Sequence, residues 1–427
     1  MSVNQVDRPV FGGAAVGLRS SIRAALRQPL ADYYLVIMAV VLLSGIGLYE
    51  MISASSVLAM VSGHSPYYYG LHQAIMIAAG TIGAVVLSRL SRRALVVVSW
   101  LGITLAIVLL ALVVVPGGFG LSTGGNQAWL NFGPVQFQPS EFAKVALVLW
   151  SAALFTQPAR LNNLGSVKAL LIPYLPVAGL VLALVVAEKD LGTAVIVGII
   201  VIAQLWLVGA PGKLLGGAAL VGAIGAGLLV VFDSVRRAKV LSFLGTLMPF
   251  LHLSATTTSD QPQNAIYALA TGGWWGVGPG ASRQKWGGLY NGAHTDYILA
   301  VLGEELGLFG IVVVLALMVT IVITGLRIAR RSDVLFWRIA AGGVATWVFV
   351  QAGLNTLVAF GMFPVMGVPF PFVSYGGSAI MAELFGVGIL LAAAMHEPSA
   401  IRELADRRAR KGTHRTTEVV VARRAPR

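Results

Sequence analysis

The chain has 427 residues, of which 57% are hydrophobic and 11% are charged, and it contains no cysteine. This composition excludes a water-soluble globular domain, and the lack of cysteine excludes disulfides, thiolate metal sites and thiol nucleophiles. The net charge of +13 does not indicate a nucleic-acid partner, because the basic residues cluster between apolar runs. We therefore predict an all-α polytopic membrane protein.

Ten apolar runs are long enough to cross a bilayer as helices. They lie at about residues 34–54, 70–88, 94–115, 141–156, 169–187, 190–210, 213–232, 296–325, 338–360 and 376–395. The first run is too long for the core of a signal peptide, so we interpret it as a retained anchor. Both termini are predicted to be cytoplasmic, because the short outer loops at 116–140 and 361–375 then contain no Lys or Arg.

The two ends of the chain are basic. Residues 1–33 are predicted to be a cytoplasmic segment, in which Leu18, Ile22 and Leu26 recur beside arginines. This pattern is typical of an interfacial helix on an anionic leaflet. A simple cluster of positive charge at the cytoplasmic end of the first span explains it equally well. Residues 396–427 are predicted to form a basic, disordered cytoplasmic tail.

A long outer loop is predicted at residues 233–295, between the seventh and eighth spans. A loop of this length in a compact protein is usually functional. Basic residues in the loop, close to the membrane surface, predict an anionic ligand there. These residues are Arg236, Arg237, Lys239, Arg283 and Lys285.

The stretch GAHTDYILAVLGEELG, from Gly292 to Gly307, places Asp296 at the outer end of the eighth predicted span. In one interpretation Thr295 or Asp296 caps the helix, which stabilises it by roughly 0.3–1 kcal/mol through the helix dipole. The same dipole would keep Asp296 ionised. In the other interpretation Asp296 is functional, because a carboxylate at the membrane edge is costly and basic residues precede it.

Other carboxylates lie within the predicted spans, where each needs a partner. Glu141 and Lys144 are spaced to pair at i,i+3. For the remaining acids we expect a structural network with Lys144 or a backbone group. These acids are Glu304, Glu305 and Glu383.

Two segments are too rich in glycine or proline for regular helix. Residues 271–288, TGGWWGVGPGASRQKWGG, are predicted to approach a ligand closely or to turn back into the protein. Residues 363–386 contain Pro364, Pro369 and Pro371, so at membrane depth this backbone must be buried in protein or line a cavity. We interpret the second segment as a cavity wall.

Four motifs follow one another along the chain: GGNQAWLNFGPVQFQPSEFAKV, EKDLGTAV, GVGPGASRQKWGGLYNGAHTDYILAVLGEELG and PFPFVSYGGS. Together they resemble the SEDS family of bacterial cell-wall polymerases over roughly residues 34–395. The residues Ser282, Gln284 and Lys285 are more similar to the division (FtsW-like) branch of that family than to the elongation (RodA-like) branch.

The resemblance implies a peptidoglycan glycosyltransferase that polymerises lipid II, an undecaprenyl-diphosphate-linked disaccharide-pentapeptide, outside the membrane. It implies that Asp296 is the essential acid. The substrate diphosphate would be bound by Lys285, Arg236 and Lys239. We predict supporting roles for Glu141, Lys144, Gln284, His294, Thr295, Ser374 and Ser378. Gln127 stands where relatives usually carry an arginine, so a diphosphate contact from the first outer loop is in doubt.

For this chemistry Asp296 is predicted to act as general base on the acceptor's 4-hydroxyl group. One carboxylate and direct displacement predict inversion at the anomeric carbon. The three cations, or a divalent ion such as Mg²⁺ or Mn²⁺ sharing the site, would neutralise the leaving diphosphate.

The resemblance also implies partners and a location. The partners are a class B penicillin-binding protein, which crosslinks the strands, and other membrane proteins of the division machinery, at the septum of the bacterial cytoplasmic membrane. Two other functions stay open: a lipid II flippase, and a non-catalytic scaffold in which Asp296 would be dispensable. The outer position of Asp296 favours an enzyme, whereas the carboxylates within the spans keep transport open.

Overall fold

The computed structural model describes residues 28–115, 120–123, 126–131, 136–158, 167–247, 261–289, 292–407 and 409. Most of the predicted basic N-terminal segment, including the predicted interfacial helix, lies outside the described residues. The predicted tail after residue 409 also lies outside the described residues, but residues 398–407 are helical, so the prediction of a disordered tail from residue 396 is wrong for this part.

The described chain is helical with one small sheet. The helices are α1 (Ala31–Val61), α2 (Tyr68–Arg89), α3 (Arg92–Val114), α4 (Pro139–Phe155), α5 (Val167–Leu171), α6 (Tyr174–Ala187), α7 (Leu191–Val208), α8 (Gly212–Phe232), α9 (Ser234–Leu247), α10 (Gln261–Gly272), α11 (Ile298–Arg331), α12 (Leu335–Ala359) and α13 (Gly377–Met395). The strands are β1 (Gly120–Thr123), β2 (Asn126–Asn131) and β3 (Gln136–Phe137), which pair antiparallel in this order.

Within the described residues, eight helices are long and apolar enough to cross a membrane: α1, α2, α3, α7, α8, α11, α12 and α13. The other two predicted spans coincide with shorter helices, α4 with 17 residues and α6 with 14. The predicted span at 169–187 is divided because Pro173, between α5 and α6, cannot donate a helical hydrogen bond. The protein is a multi-pass membrane protein, as its composition predicts.

The helices differ in how deeply they lie in the bundle. Nearly every residue of α4 and α13 is buried, and the outer half of α11 and most of α12 pack with them. In contrast, α8 buries none of its residues and packs on α7 and α9. The side of the bundle beside α8 is therefore the part most open to lipid.

The described parts of the outer segments contain strands and helices. The 116–140 segment contains the three-stranded sheet, and the Gln127 N–H donates to the Glu188 carbonyl at 3.0 Å. The 233–295 segment contains α9 and α10, and α10 packs on α11. The sheet and these two helices surround the outer end of the bundle.

The long helix α11 is interrupted at Gly307, whose φ of 68° and ψ of −169° are not helical. The interruption frees carbonyl groups, and the glycine-rich segment uses them: the N–H groups of Val277 and Gly278 donate to the carbonyls of Glu304 and Glu305 at 2.9 and 3.1 Å. This is the close backbone approach predicted from the glycines, and the partner is a helix of the chain itself.

Candidate active site

Asp296 lies in a series of turns at the outer end of the bundle, two residues before α11 begins at Ile298. The residue at the helix cap position is Tyr297, and no side chain makes a capping hydrogen bond there. The capping interpretation of Thr295 and Asp296 is therefore wrong, and the Asp296 carboxylate is not engaged by the helix terminus.

The backbone that carries Asp296 is held by three consecutive carbonyl groups, those of His294, Thr295 and Asp296. Each accepts one hydrogen bond from the segment around the last two helices. The donors, in order, are the Tyr375 N–H at 2.8 Å, the Ser374 Oγ at 2.7 Å and the Asn355 Nδ2 at 3.0 Å. Because Asn355 also donates to the Val368 carbonyl at 2.8 Å, it ties the Asp296 segment to the proline-rich segment. These bonds fix the position of the carboxylate.

Asp296 is on the wall of a cavity of about 670 Å³. Thr295, Lys239 of α9 and Gln138 at the start of α4 line the same cavity. The proline-rich segment contributes Pro364 and Pro369, among others, as predicted for a cavity wall. One carboxylate and one ammonium group therefore face a common space at the outer face of the bundle.

A second cavity of about 520 Å³ adjoins the first and shares Lys239 with it. Its polar wall contains Lys189 and Arg236, and Arg236 is within 3.9 Å of Asp233. Its apolar wall comes from α7 and α8, the lipid-facing side of the bundle. The two cavities form a path from an apolar, basic region to the Asp296 carboxylate.

Burial raises the pKa of Asp296 to about 6, with Lys239 opposing this shift and Asp190 adding to it. The expected effect of the helix dipole is therefore outweighed by desolvation. Burial also lowers the pKa of His294 to about 4, so the imidazole is neutral at physiological pH. At neutral pH the site contains an ionised carboxylate that can still accept a proton.

Lys285 lies in a different polar cluster. Its side chain is buried, and its Nζ donates to Ser53 Oγ and to the Gly280 carbonyl, both at 2.8 Å, and to the Glu305 carboxylate. Lys285 lines neither of the two cavities. Its predicted contact with a diphosphate stays a prediction, and its ammonium group already has three protein partners.

Glu304 is held by the same segment, since Ser282 Oγ and the backbone N–H groups of Arg283 and Gln284 donate to its carboxylate. The expected backbone partner is therefore present. Glu305 likewise accepts from the Gly280 N–H at 2.7 Å, so the expected structural network is formed in both cases by a backbone group rather than by Lys144. The side chain of Gln284, a predicted supporting residue, lines neither cavity.

Lys144 belongs to a buried polar network that joins α4, α12 and α13. Its Nζ donates to Glu141 at 2.9 Å, as the spacing predicts, and to Gln351 Oε1 at 2.8 Å. Gln351 Nε2 in turn donates to Glu383 at 2.8 Å. Ser378 Oγ accepts from the Gln138 N–H at 3.0 Å, which connects α13 to the wall of the Asp296 cavity. The predicted supporting residues Glu141, Lys144 and Ser378 therefore connect helices of the bundle, and none of them lines either cavity.

Sequence reasoning missed three residues of the site. Asn355 positions the Asp296 backbone, and the cavity wall includes Gln138 and Tyr375. A signal exists for Asn355, because it stands four residues after Gln351 in an otherwise apolar span, and polar residues in a span are costly without a role. Gln127 does not line either cavity, and its Nε2 donates to the Val113 carbonyl at 2.9 Å.

For the predicted Mg²⁺ or Mn²⁺, the relevant test is the donor set. In the part of the chain that the structure describes, no three His, Asp or Glu side chains lie together as a metal site built only from protein ligands would need. An ion shared between Asp296 and the substrate diphosphate, the usual arrangement for Mg²⁺, stays a prediction, and we derive no step through one.

The fold and this site define a polytopic membrane protein with a carboxylate and cations in two adjoining cavities at its outer face. The chain belongs to the FTSW_RODA_SPOVE family, described as "Cell cycle protein", whose model matches residues 33–399. The predicted FtsW-like resemblance is thereby confirmed.

Individual relatives support the same family assignment. The chain is 35% identical over 386 residues to the probable peptidoglycan glycosyltransferase FtsW of Mycobacterium tuberculosis, which covers 90% of this chain and 72% of that protein. It is 32% identical over 373 residues to the probable peptidoglycan glycosyltransferase FtsW of Bacillus subtilis, covering 86% and 91%.

Solved structures are also similar. One is a chain of a peptidoglycan synthase complex, in a structure that concerns the coordination of polymerization and crosslinking. It matches with a TM-score of 0.64 and 27% identity, covering 86% of this chain and 98% of that chain. The rod shape determining protein RodA of Thermus thermophilus matches with a TM-score of 0.60 and 26% identity, covering 85% and 96%.

Proposed function

We propose that this protein is an inverting peptidoglycan glycosyltransferase that polymerises lipid II at the outer face of the cytoplasmic membrane. The observation that carries the proposal is the position of Asp296: one ionisable carboxylate on a cavity wall that it shares with Lys239. Membership of a family whose relatives are named peptidoglycan glycosyltransferases supports the same function.

In the proposed reaction, the ionised Asp296 accepts the proton of the acceptor's 4-hydroxyl group as its oxygen attacks the anomeric carbon of the donor sugar. The new glycosidic bond forms as the bond to the lipid diphosphate breaks, and the diphosphate leaves with the electron pair. A single displacement of this kind inverts the anomeric configuration. Because the diphosphate is a weak base, it needs cations rather than a second acid.

The cations Lys239 and Arg236 are proposed to bind this diphosphate, because Lys239 lines both adjoining cavities and Arg236 lines the second one. The apolar wall from α7 and α8 would then accommodate the start of the lipid chain. This arrangement places the lipid on the open side of the bundle and the sugar at Asp296.

We further propose that a class B penicillin-binding protein and other membrane proteins of the division machinery are its partners, at the septum. The structural likeness to a chain of a peptidoglycan synthase complex supports a partnered enzyme. Co-purification of the tagged chain from dividing cells, compared with localisation of a fluorescent fusion, tests both parts. Uniform distribution around the cell would contradict the septal assignment.

The deciding experiment uses purified full-length protein with lipid II in detergent, with and without the class B partner. We expect a glycan polymer. A second arm places the protein in vesicles with labelled lipid II and measures its movement between leaflets. Lipid movement without any polymer would favour a flippase, and polymer that forms only through the partner's own activity would favour a scaffold.

The pH dependence of polymerisation gives a further prediction. Since burial raises the pKa of Asp296 to about 6 and the base must be ionised, kcat/KM should fall about tenfold per pH unit below about pH 6. His294 does not add a step in this range, because its pKa is lowered to about 4. A rate that is flat down to about pH 4.5 would contradict the assignment of Asp296 as base.

Lys239→Ala is expected to lower kcat/KM by about tenfold or more, because a charge-assisted contact to the diphosphate is lost. Lys239→Arg should retain most of the activity. The matched control is Arg237→Ala on the same helix, because Arg237 is exposed and lines neither cavity. Equal losses in both alanine variants would indicate general attraction of anions rather than a contact at Lys239.

A further inference from the structure

A series of aromatic rings leads from the Asp296 cavity to the outer surface. Tyr375 lines the cavity, and its ring contacts that of Tyr69 with centroids 5.6 Å apart. Tyr69 contacts Tyr68 at 5.2 Å, and Tyr68 stacks on His64 at 4.3 Å with the ring planes 12° apart. We call His64, Tyr68, Tyr69 and Tyr375 the aromatic track.

The inner end of the aromatic track is part of the site. The Tyr375 N–H donates to the His294 carbonyl, and the two side-chain rings lie 5.8 Å apart. Tyr69 also lies 6.2 Å from the His294 ring. The track therefore begins beside His294, which is two residues before Asp296, and Tyr375 makes it continuous with the cavity.

The outer end is exposed and lacks acidic residues, lysine and arginine. Tyr68 is 46% exposed and His64 is also exposed. The sequence from Val61 to Leu87 contains no Asp, Glu, Lys or Arg. In contrast, α9 contributes Lys239 to both cavities and Arg236 to the second cavity. The surfaces that adjoin Asp296 thus differ: one is basic and suits a diphosphate, and the other is aromatic and suits a neutral ligand.

Sugars fit such a surface. One face of a pyranose ring presents C–H groups that pack against the electron-rich face of an aromatic ring, and the hydroxyl groups at its edge can hydrogen-bond to a tyrosine hydroxyl. An interfacial aromatic belt is the alternative explanation, but belt residues anchor the protein at the lipid surface and need no contact with one another or with a cavity. Ring contacts in series that end at the cavity containing Asp296 favour a ligand path.

We propose that the aromatic track binds the sugar units of the growing glycan, a polymer of β-linked amino sugars, as it leaves the Asp296 cavity. This inference rests on the proposed function. Its consequence is processivity, since a strand held on the track dissociates less often between successive additions.

The test compares Tyr68→Leu, Tyr68→Phe and Trp275→Leu in the full chain with lipid II. Trp275 is a matched control, because it is 82% exposed beside Phe309 and lies outside the track. Loss of one stacked ring should shorten the mean strand about threefold in Tyr68→Leu, whereas Tyr68→Phe and Trp275→Leu should give wild-type lengths. Melting temperatures of all variants show whether the fold is preserved.

A binding arm is independent of polymerisation. Saturation-transfer NMR with a peptide-free tetrasaccharide of alternating N-acetylglucosamine and N-acetylmuramic acid should give a signal with wild type and Trp275→Leu that is lost in Tyr68→Leu. If the wild type forms no polymer, the proposed function fails and this arm alone decides the track. Equal strand lengths or equal binding signals in Tyr68→Leu and Trp275→Leu would overturn the proposal, as would no binding to the wild type.

Discussion

Asp296→Asn is expected to lower the rate of glycan polymerisation by about 10²–10⁴-fold, because asparagine has the same shape but cannot accept a proton at neutral pH. The fold should persist, since the hydrogen bonds that hold this segment use the backbone carbonyls of residues 294–296 rather than the carboxylate. The measurement is the initial rate of lipid II polymerisation in detergent, with the melting temperature of the same preparations.

The matched control is Glu188→Gln on the same outer side. Burial, and then Asp190, raise the pKa of Glu188 to about 9, so this carboxyl group is protonated at neutral pH. Its replacement by glutamine removes no charge and should change the rate by less than about twofold. A wild-type rate in Asp296→Asn, or the same loss in both variants, would show that Asp296 is not the base.

The membrane fold could be predicted from the sequence because each span is a local property of the chain. An apolar run of sufficient length must form a helix in lipid, where backbone groups cannot bond to water. The predicted order and positions therefore agree with the structure, and the shorter helices α4 and α6 occupy the remaining two positions. The interruptions at Pro173 and Gly307 were not predicted, because residue type alone does not mark them. Pro176 lies within α6, and Gly303 and Gly310 lie within α11, without interrupting these helices.

The site was predictable only in part, because its geometry depends on contacts between distant residues. Asp296 and Lys239 were identified by type and position, and the structure brings them to one cavity. Lys285 and Glu305 are 20 residues apart, and nothing in either local pattern indicates that each is the other's partner. Asn355 bonds to a carbonyl 59 residues earlier. Such pairings follow from how the helices pack, which composition and spacing do not specify.

The ion pair of Lys285 and Glu305 gives the second large expected effect. Lys285→Met should destabilise the protein by about 3–5 kcal/mol, because the Glu305 carboxylate remains buried without its cation. The expected result is a melting temperature lower by about 5 °C or more in detergent, accompanied by loss of polymerisation. The comparison is Lys239→Ala, which should lose activity at an unchanged melting temperature, because Lys239 is exposed.

The double variant Lys285→Met/Glu305→Gln separates a structural role of Lys285 from a catalytic one. Removing both charges eliminates the buried unpaired carboxylate, so we expect most of the lost stability to return. Polymerisation should return with it, because Lys285 lines neither cavity and its three partners are all within the protein. A double variant that is stable but inactive would instead place Lys285 on the diphosphate, and would require the glycine-rich segment to move when substrate binds.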